Sequence, residues 1–323
     1  MNNVLLTGVA GFIGHKTAQF LLEKGHHVIG IDNLNDYYDV RLKQHRLEQL
    51  TGIAGFEFHE IDIEDKDRLK SLCQTNSIDV IMNLAARAGV PYSLENPKVY
   101  VSTNLQGSLN LLEVAKDYSI GKYVLASTSS LYAGEEMPFC EDLAVNSPIS
   151  PYAASKKGAE LMAYTYHHIY GIDVTVLRYF TVFGPAGRPD MSIFRFIKWI
   201  DEGTPLKLYG DGSQSRDFTY LDDIAEGTVK AIKKVGYEVI NLGGGRNPLS
   251  LNDVIGSIEE KLGKKALIDH EAFQKTDMKE TWADISKAKQ LLDWTPKVSF
   301  EEGLDRTVDW YRENRSWLQQ VAV

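Results

Sequence analysis

The chain has 323 residues, 43% hydrophobic and 24% charged, with a formal net charge of −9. This is a globular composition with room for one large domain or two ordinary ones. The charge leaves no basic surface for nucleic acid, and no apolar run approaches the ~20 residues of a membrane span, so neither partner is expected.

The N-terminal stretch MNNVLLTGVAGFIG has no basic leader and reads at once as a strand, so no signal peptide is expected. Cys73 and Cys140 make no disulfide framework and read as thiols of a reducing compartment, which points to the cytoplasm. The histidines show no ligand spacing, and the neighbours His167 and His168 point to different helix faces, so no metal is expected.

In chain order, NVLLTG, HVIGID, FEFHEID, DVIMNLA, YVLAST and VTVLRYF are short, mostly apolar runs rich in β-branched residues. Amphipathic segments such as FIGHKTAQFLLEKG and NLQGSLNLLEVAKDY lie between them. Near-continuous apolar strands alternating with helices predict an α/β fold, a doubly wound parallel sheet of the Rossmann type. Residues 1–180, with a returning segment near 218–245, are assigned to this dinucleotide-binding domain. The remainder of 181–323 is assigned to a smaller C-terminal α/β substrate domain, with the ligand site in the cleft between the two.

The first unit carries glycines at 8, 11 and 14, between a strand and a helix. Glycines there permit a tight turn and close approach to a pyrophosphate, whose charge the helix N-terminus favours. Phe12 and Ile13 lie in the same turn. The second strand ends at Asp32, eighteen residues beyond Gly14, followed by Asn33. A carboxylate at that place accepts from an adenosine ribose and repels a 2′-phosphate, so NAD is expected rather than NADP. Asp62, with Ile63 after it, either reaches the adenine amino group or caps the next helix. Leu84, Ala85 and Ala86 end the fourth strand on residues small enough for a cofactor to pass the backbone.

The fifth strand ends in Ser127, Thr128, Ser129 and Ser130, a hydroxyl cluster suited either to a substrate alcohol or to local turn capping. Tyr152 follows Thr128 by 24 residues, in SPYAASKKGAE. Pro151 sets the first turn of a helix whose apolar face is expected to continue through Leu161 and Tyr164, and Gly171 stops it. On that helix Tyr152 and Lys156 share a face, while Lys157 lies ~100° further round and reads as a solvated charge. A phenol must be shifted by about 4 kcal/mol to act as a base near neutral pH. A neighbouring cation, assigned to Lys156, supplies part of this and a bound oxidised nicotinamide more.

Gly8/Gly11/Gly14, Asp32, Thr128, Tyr152 and Lys156, in this order, resemble the extended short-chain dehydrogenase/reductase family of nucleotide-sugar enzymes. The resemblance runs over essentially the whole chain and implies a catalytic set of Thr128, Tyr152 and Lys156, the last two also touching NAD. It implies that Arg216, in GDGSQSRDFTYLDDIAEG, contacts the nucleotide diphosphate. Dehydratases of the family carry an Asp-Glu pair where this chain has Ser129 and Ser130, which argues against dehydration. RYFTVFGPAGRPDM, with Thr181, is similar to the UDP-glucuronate 4-epimerases, as are DNLNDYYDVRLKQHRL and TWADISKAKQLL. The resemblance therefore implies NAD-dependent C4 epimerisation of a UDP-sugar, UDP-glucuronate first, by a homodimer. UDP-glucose 4-epimerase, UDP-glucuronate decarboxylase and a non-enzymatic dinucleotide sensor are the alternatives. Ser129, Ser130 and Thr181 are expected to hold the sugar carboxylate and Arg188 the uridine diphosphate. Arg87 serves either the cofactor phosphates or the sugar.

Overall fold

The computed structural model describes residues 1–245, 248–273 and 278–323. Its first half is built from β1 (Asn3–Thr7), α1 (Phe12–Glu23), β2 (His27–Asp32), α2 (Val40–Glu48), β3 (Phe56–Glu60), α3 (Lys66–Thr75) and β4 (Val80–Asn83). Two short helices, α4 (Val90–Glu95) and α5 (Pro97–Tyr100), lead through a widened turn into α6 (Ser108–Asp117) and β5 (Lys122–Thr128). The long helix α7 (Pro151–Tyr170) and β6 (Asp173–Tyr179) follow.

The strands lie in the order β3-β2-β1-β4-β5-β6, all parallel, as near-continuous apolar runs require when both faces are covered. The strand order reverses between β1 and β4, the place where an open α/β sheet leaves a crevice. Core side chains fill both faces: Leu6, Val28 and Met82 on one, Leu5, Ile81 and Leu125 on the other.

Beyond β6 come β7 (Thr181–Phe183), α8 (Ser192–Glu202), β8 (Leu206–Tyr209), β9 (Ser215–Arg216), β10 (Phe218–Tyr220) and α9 (Leu221–Lys230). Six strands are evident from apolar runs; a seventh, β11 (Tyr237–Leu242), pairs with β6 and completes the sheet. Its run YEVINL places a glutamate among the apolar residues, which weakens the buried-strand signal. The rest is β12 (Leu249–Ser250), α10 (Leu251–Leu262), β13 (Ile268–Glu271), β14 (Glu280–Thr281), α11 (Ser286–Leu292), α12 (Phe300–Glu313) and α13 (Arg315–Leu318). A separate core of Phe194, Trp199, Leu206, Val254, Leu304 and Tyr311 holds α8, α10 and α12 together.

Helix α7 begins and ends as its sequence directs. Ser150 accepts from Ala153 N (3.2 Å), Pro151 occupies the first turn, and Gly171 closes the helix at φ +69°. Its buried face is Ala153, Ser155, Lys156, Ala159, Glu160 and Ala163. Leu161 and Tyr164, expected on the apolar face, are 55% and 50% exposed. The small residues let α7 sit close to the sheet, and the large ones are turned away from it.

Arg46, on α2, is fully buried and has no carboxylate partner among the described residues. Its five donors go to Ala186 O twice, Gly187 O, Ala10 O and the Tyr38 hydroxyl. One side chain thus ties the turn after β1 to the loop before α8.

Candidate active site

A cavity of about 800 Å³ runs along the carboxyl ends of the central strands, from the turn after β1 to α8 and β8. Its wall brings together Gly8, Gly11, Phe12, Ile13, Gly14, Asp32, Asn33, Asp62, Ile63, Leu84, Ala85 and Ala86 from one side. Arg87, Thr128, Ser129, Ser130, Tyr152, Lys156, Thr181 and Arg188 continue it. Arg216 is not part of this wall. It lies on β9, held between β12 and β14 in a separate small sheet, with Nη1 donating to Ser215 O (2.7 Å).

The glycines answer first to the protein's own packing. A Cβ on Gly14 would stand 2.0 Å from Gly8 O, and one on Gly8, at φ +69°, 2.8 Å from Ala85 N. The turn after β1 is therefore pressed against the end of β4. Gly11 precedes α1, and among the described residues no side chain caps that helix, whose first turn forms part of the cavity wall. The Asp32 carboxylate accepts from Ala10 N (3.2 Å) and Leu34 N (2.9 Å), which fixes it at the strand end. Asp62 accepts from Asn33 Nδ2 (2.6 Å) and Glu64 N (2.9 Å), whereas α3 is capped by Asp65, which accepts from Arg68 N (3.1 Å). Capping thus falls to Asp65 and leaves Asp62 at the cavity wall.

Of the two roles open to Thr128, the turn cap is present in the fold. Its hydroxyl accepts from Ser130 N (3.1 Å), capping the short turn after β5, and stands beside the Tyr152 phenol. Burial pushes that phenol up, while the Thr128 hydroxyl and the Arg188 guanidinium pull it down. The Lys156 ammonium donates to Ala126 O (3.0 Å), and among the described residues its other two N–H donors are without a partner at the wall. Lys157 is half-buried rather than solvated and pairs with Glu160 (3.7 Å). Ser127 donates to the same Glu160 (2.6 Å), so this member of the hydroxyl cluster is committed to the framework.

Burial takes the Lys156 amine down to about 8, with Glu160 opposing the shift. A buried lysine of this kind costs stability while it is charged. Between about pH 8 and its ordinary value the unfolded chain binds more protons than the folded one, so stability contributed at this site rises with pH. Lys156→Met should accordingly stabilise the cofactor-free protein by about 3 kcal/mol at pH 7 and by less than about 1 kcal/mol at pH 10. Urea unfolding of both proteins at the two pH values measures this; a pH-independent difference would contradict it.

Sequence reading missed several wall residues, among them Tyr37, Lys43, Arg195 and Tyr209, because only packing brings them to the cavity. Tyr37 lies under both Arg87 (5.8 Å) and Arg188 (5.7 Å). Lys43 is buried at the wall and donates to Asn35 O (2.7 Å). Both belong to DNLNDYYDVRLK, where the paired tyrosines and the spaced lysine were the available signal. Arg188 pairs with Asp190 (2.5 Å) and donates to Ala88 O (3.2 Å); burial opposes its charge, and Asp190 more than offsets it. Arg87 donates to Asn35 Oδ1 (2.8 Å).

The arrangement is a largely apolar crevice at a sheet reversal, with a phenol, a hydroxyl and a buried amine set into its wall. It can hold a dinucleotide and exchange a proton with a bound alcohol. A family model described as GDP-mannose 4,6 dehydratase matches residues 5–307. A UDP-glucuronate 4-epimerase of Thermodesulfobacterium geofontis is 59% identical over 323 residues, all of both chains. A solved UDP-glucuronic acid 4-epimerase from Bacillus cereus, in complex with UDP-glucuronic acid and NAD, is 39% identical with a TM-score of 0.91, over 97% of this chain and 99% of that one. A UDP-glucose 4-epimerase of Thermotoga maritima, solved with UDP-glucose, is 32% identical with a TM-score of 0.87, over 97% of this chain and 99% of that one.

Proposed function

The chain belongs to the family that the GDP-mannose 4,6 dehydratase model describes, and from that premise we propose that it interconverts UDP-glucuronate and UDP-galacturonate by NAD-dependent epimerisation at C4. The observation that carries this is the convergence of Tyr152, Thr128 and Lys156 on one cavity with neutral hydroxyls, Ser129, Ser130 and Thr181, in its wall.

The residues present fit the dinucleotide. The uncapped start of α1 offers N–H groups to a pyrophosphate, and the anchored Asp32 offers carboxylate oxygens to a ribose. When bound, the oxidised nicotinamide accepts and returns a hydride at sugar C4. Tyr152 Oη takes the proton of the C4 hydroxyl and later gives it back, while Thr128 hydrogen-bonds the C4 oxygen. The two remaining Lys156 donors hold positive charge at the cofactor side of the phenol. Between the two proton transfers the 4-keto sugar turns about its diphosphate linkage, so that the opposite face is presented.

A 4-keto uronic acid is a β-keto acid and loses CO₂ when the breaking bond aligns with the carbonyl π system. Ser129, Ser130 and Thr181 hold the carboxylate away from that alignment without adding an acid. The serines also stand where a dehydratase places its acidic pair, which supports epimerisation over dehydration.

In this reading residues 1–180 and 218–245 carry the cofactor and the remainder of 181–323 carries the nucleotide sugar. The large residues exposed on α7, among them Leu161, Tyr164 and Ile169, support a homodimer in which two such helices face each other. Two free thiols, Cys73 and Cys140, support a cytoplasmic setting.

Incubation of purified protein with UDP-glucuronate, followed by NMR, should give UDP-galacturonate. A UDP-pentose product would make the protein a decarboxylase. Turnover of UDP-glucose in preference would make it a hexose epimerase.

A further inference from the structure

Among the described residues three arginines line the cavity: Arg87, Arg188 and Arg195. Arg188 is committed to Asp190 and Ala88, and Arg87 has one bond to Asn35. Arg195, on α8, is different. Among the described residues its side chain makes no hydrogen bond and no ion pair, and its Nε is buried without a partner. What holds it is the Trp199 ring, with the guanidinium carbon 4.4 Å from the ring centroid.

A guanidinium beside an aromatic ring still has its in-plane N–H groups for another partner. Here all five donors are unengaged by protein. Burial without a counter-ion pushes the group down, with only Tyr209 and Asp190 opposing at a distance. Asp190, the carboxylate that acts on it, is already occupied by Arg188. In a chain of net charge −9, a cavity arginine left without its own anion is a place for one brought by a ligand.

The position along the cavity says which part of the ligand. Arg188 reaches Ala88 O and lies over Tyr37, whereas Arg195 lies over Trp199 on α8, at the end of the cavity that α8 and Tyr209 of β8 form. With C4 of the sugar at Tyr152, Arg195 therefore stands beyond Arg188, toward the nucleotide end. Resting on the proposed UDP-sugar reading, we infer that Arg195 is a substrate-binding residue that clamps the diphosphate through its in-plane N–H groups. This role was assigned from the sequence to Arg188 and Arg216. Arg188 has its bidentate edge on Asp190, and Arg195 adds a further cation to the wall.

The test compares the full-length parent protein, Arg195→Met and Arg195→Lys. UDP binding is followed by calorimetry, uridine binding by NMR titration, and turnover by NMR with UDP-glucuronate. Arg195→Met should weaken UDP about ten- to a hundredfold and leave uridine binding unchanged, as expected for lost bonds to a charged group. KM for UDP-glucuronate should rise by a similar factor while kcat stays within about threefold, because the contact is the same in ground and transition states. Arg195→Lys should recover part of the UDP affinity. Unchanged UDP affinity in Arg195→Met overturns the assignment, and so does an equal loss for uridine, which would place the arginine on the base. Parent protein that binds neither UDP nor uridine overturns the UDP-sugar reading itself and this inference with it.

Discussion

Tyr152→Phe should bind NAD as tightly as the parent protein and lose C4 epimerisation by about 10³- to 10⁴-fold. The substitution removes one oxygen and keeps the ring, which packs edge-on to Tyr100 at 6.0 Å. The wall therefore keeps its shape, and the loss falls on kcat. Thr128 cannot take over. Its hydroxyl is fixed by the backbone of Ser130, and an unactivated alcohol is a far weaker base than a phenolate. Calorimetry with NAD and product NMR with UDP-glucuronate separate binding from chemistry. Activity within tenfold of the parent would remove Tyr152 from the proton transfer and leave the hydroxyl cluster as the remaining candidate.

Glu160→Ala should cost about 3–5 kcal/mol of stability, because it leaves a buried guanidinium without its anion. Glu160 and Arg178 are each 2% exposed. The carboxylate accepts from Arg178 Nε (3.0 Å) and Nη2 (2.8 Å), as well as from Ser127. Arg178 Nη1 then donates to the Tyr132 hydroxyl (2.8 Å), which donates to Asn241 Oδ1 (2.8 Å). The chain of bonds crosses from α7 through β6 to β11, so the loss should spread through the sheet edge rather than stay local. Removing both charges, as Glu160→Leu with Arg178→Met, should recover much of the stability, since a buried pair and a well-packed apolar substitute are often close in energy. Denaturant unfolding of the single and double variants decides it. A single variant within 1 kcal/mol of the parent would mean that water reaches Arg178.

The parts of the site visible in the sequence are those written in local spacing. Gly8, Gly11 and Gly14 sit at fixed intervals in one turn, and Tyr152 and Lys156 one helical turn apart. Strand ends are equally legible, because an apolar run stops where the crevice begins; Asp32 and Thr128 were found that way. Residues joined only by packing were not. Arg46 and Arg195 look like ordinary helix charges until α2 packs on α1 and α8 on α10 and β8. The face of α7 was misread for a related reason. Size and hydrophobicity placed Leu161 and Tyr164 inward, but close approach to the sheet selects alanines and admits Glu160 because Arg178 waits beneath it.

Arg46 gives the cavity a mechanical property. A guanidinium with one bond to Ala10 O and three to Ala186 O and Gly187 O works as a rivet: the turn that starts α1 and the loop that carries Arg188 are fastened into one piece. Parting them would strand several buried donors and carbonyls at once, at a cost of about 1–3 kcal/mol each. The crevice at this seam is thus a rigid mould, and freedom for a sugar to turn over within it must come from the sugar and the side chains around it.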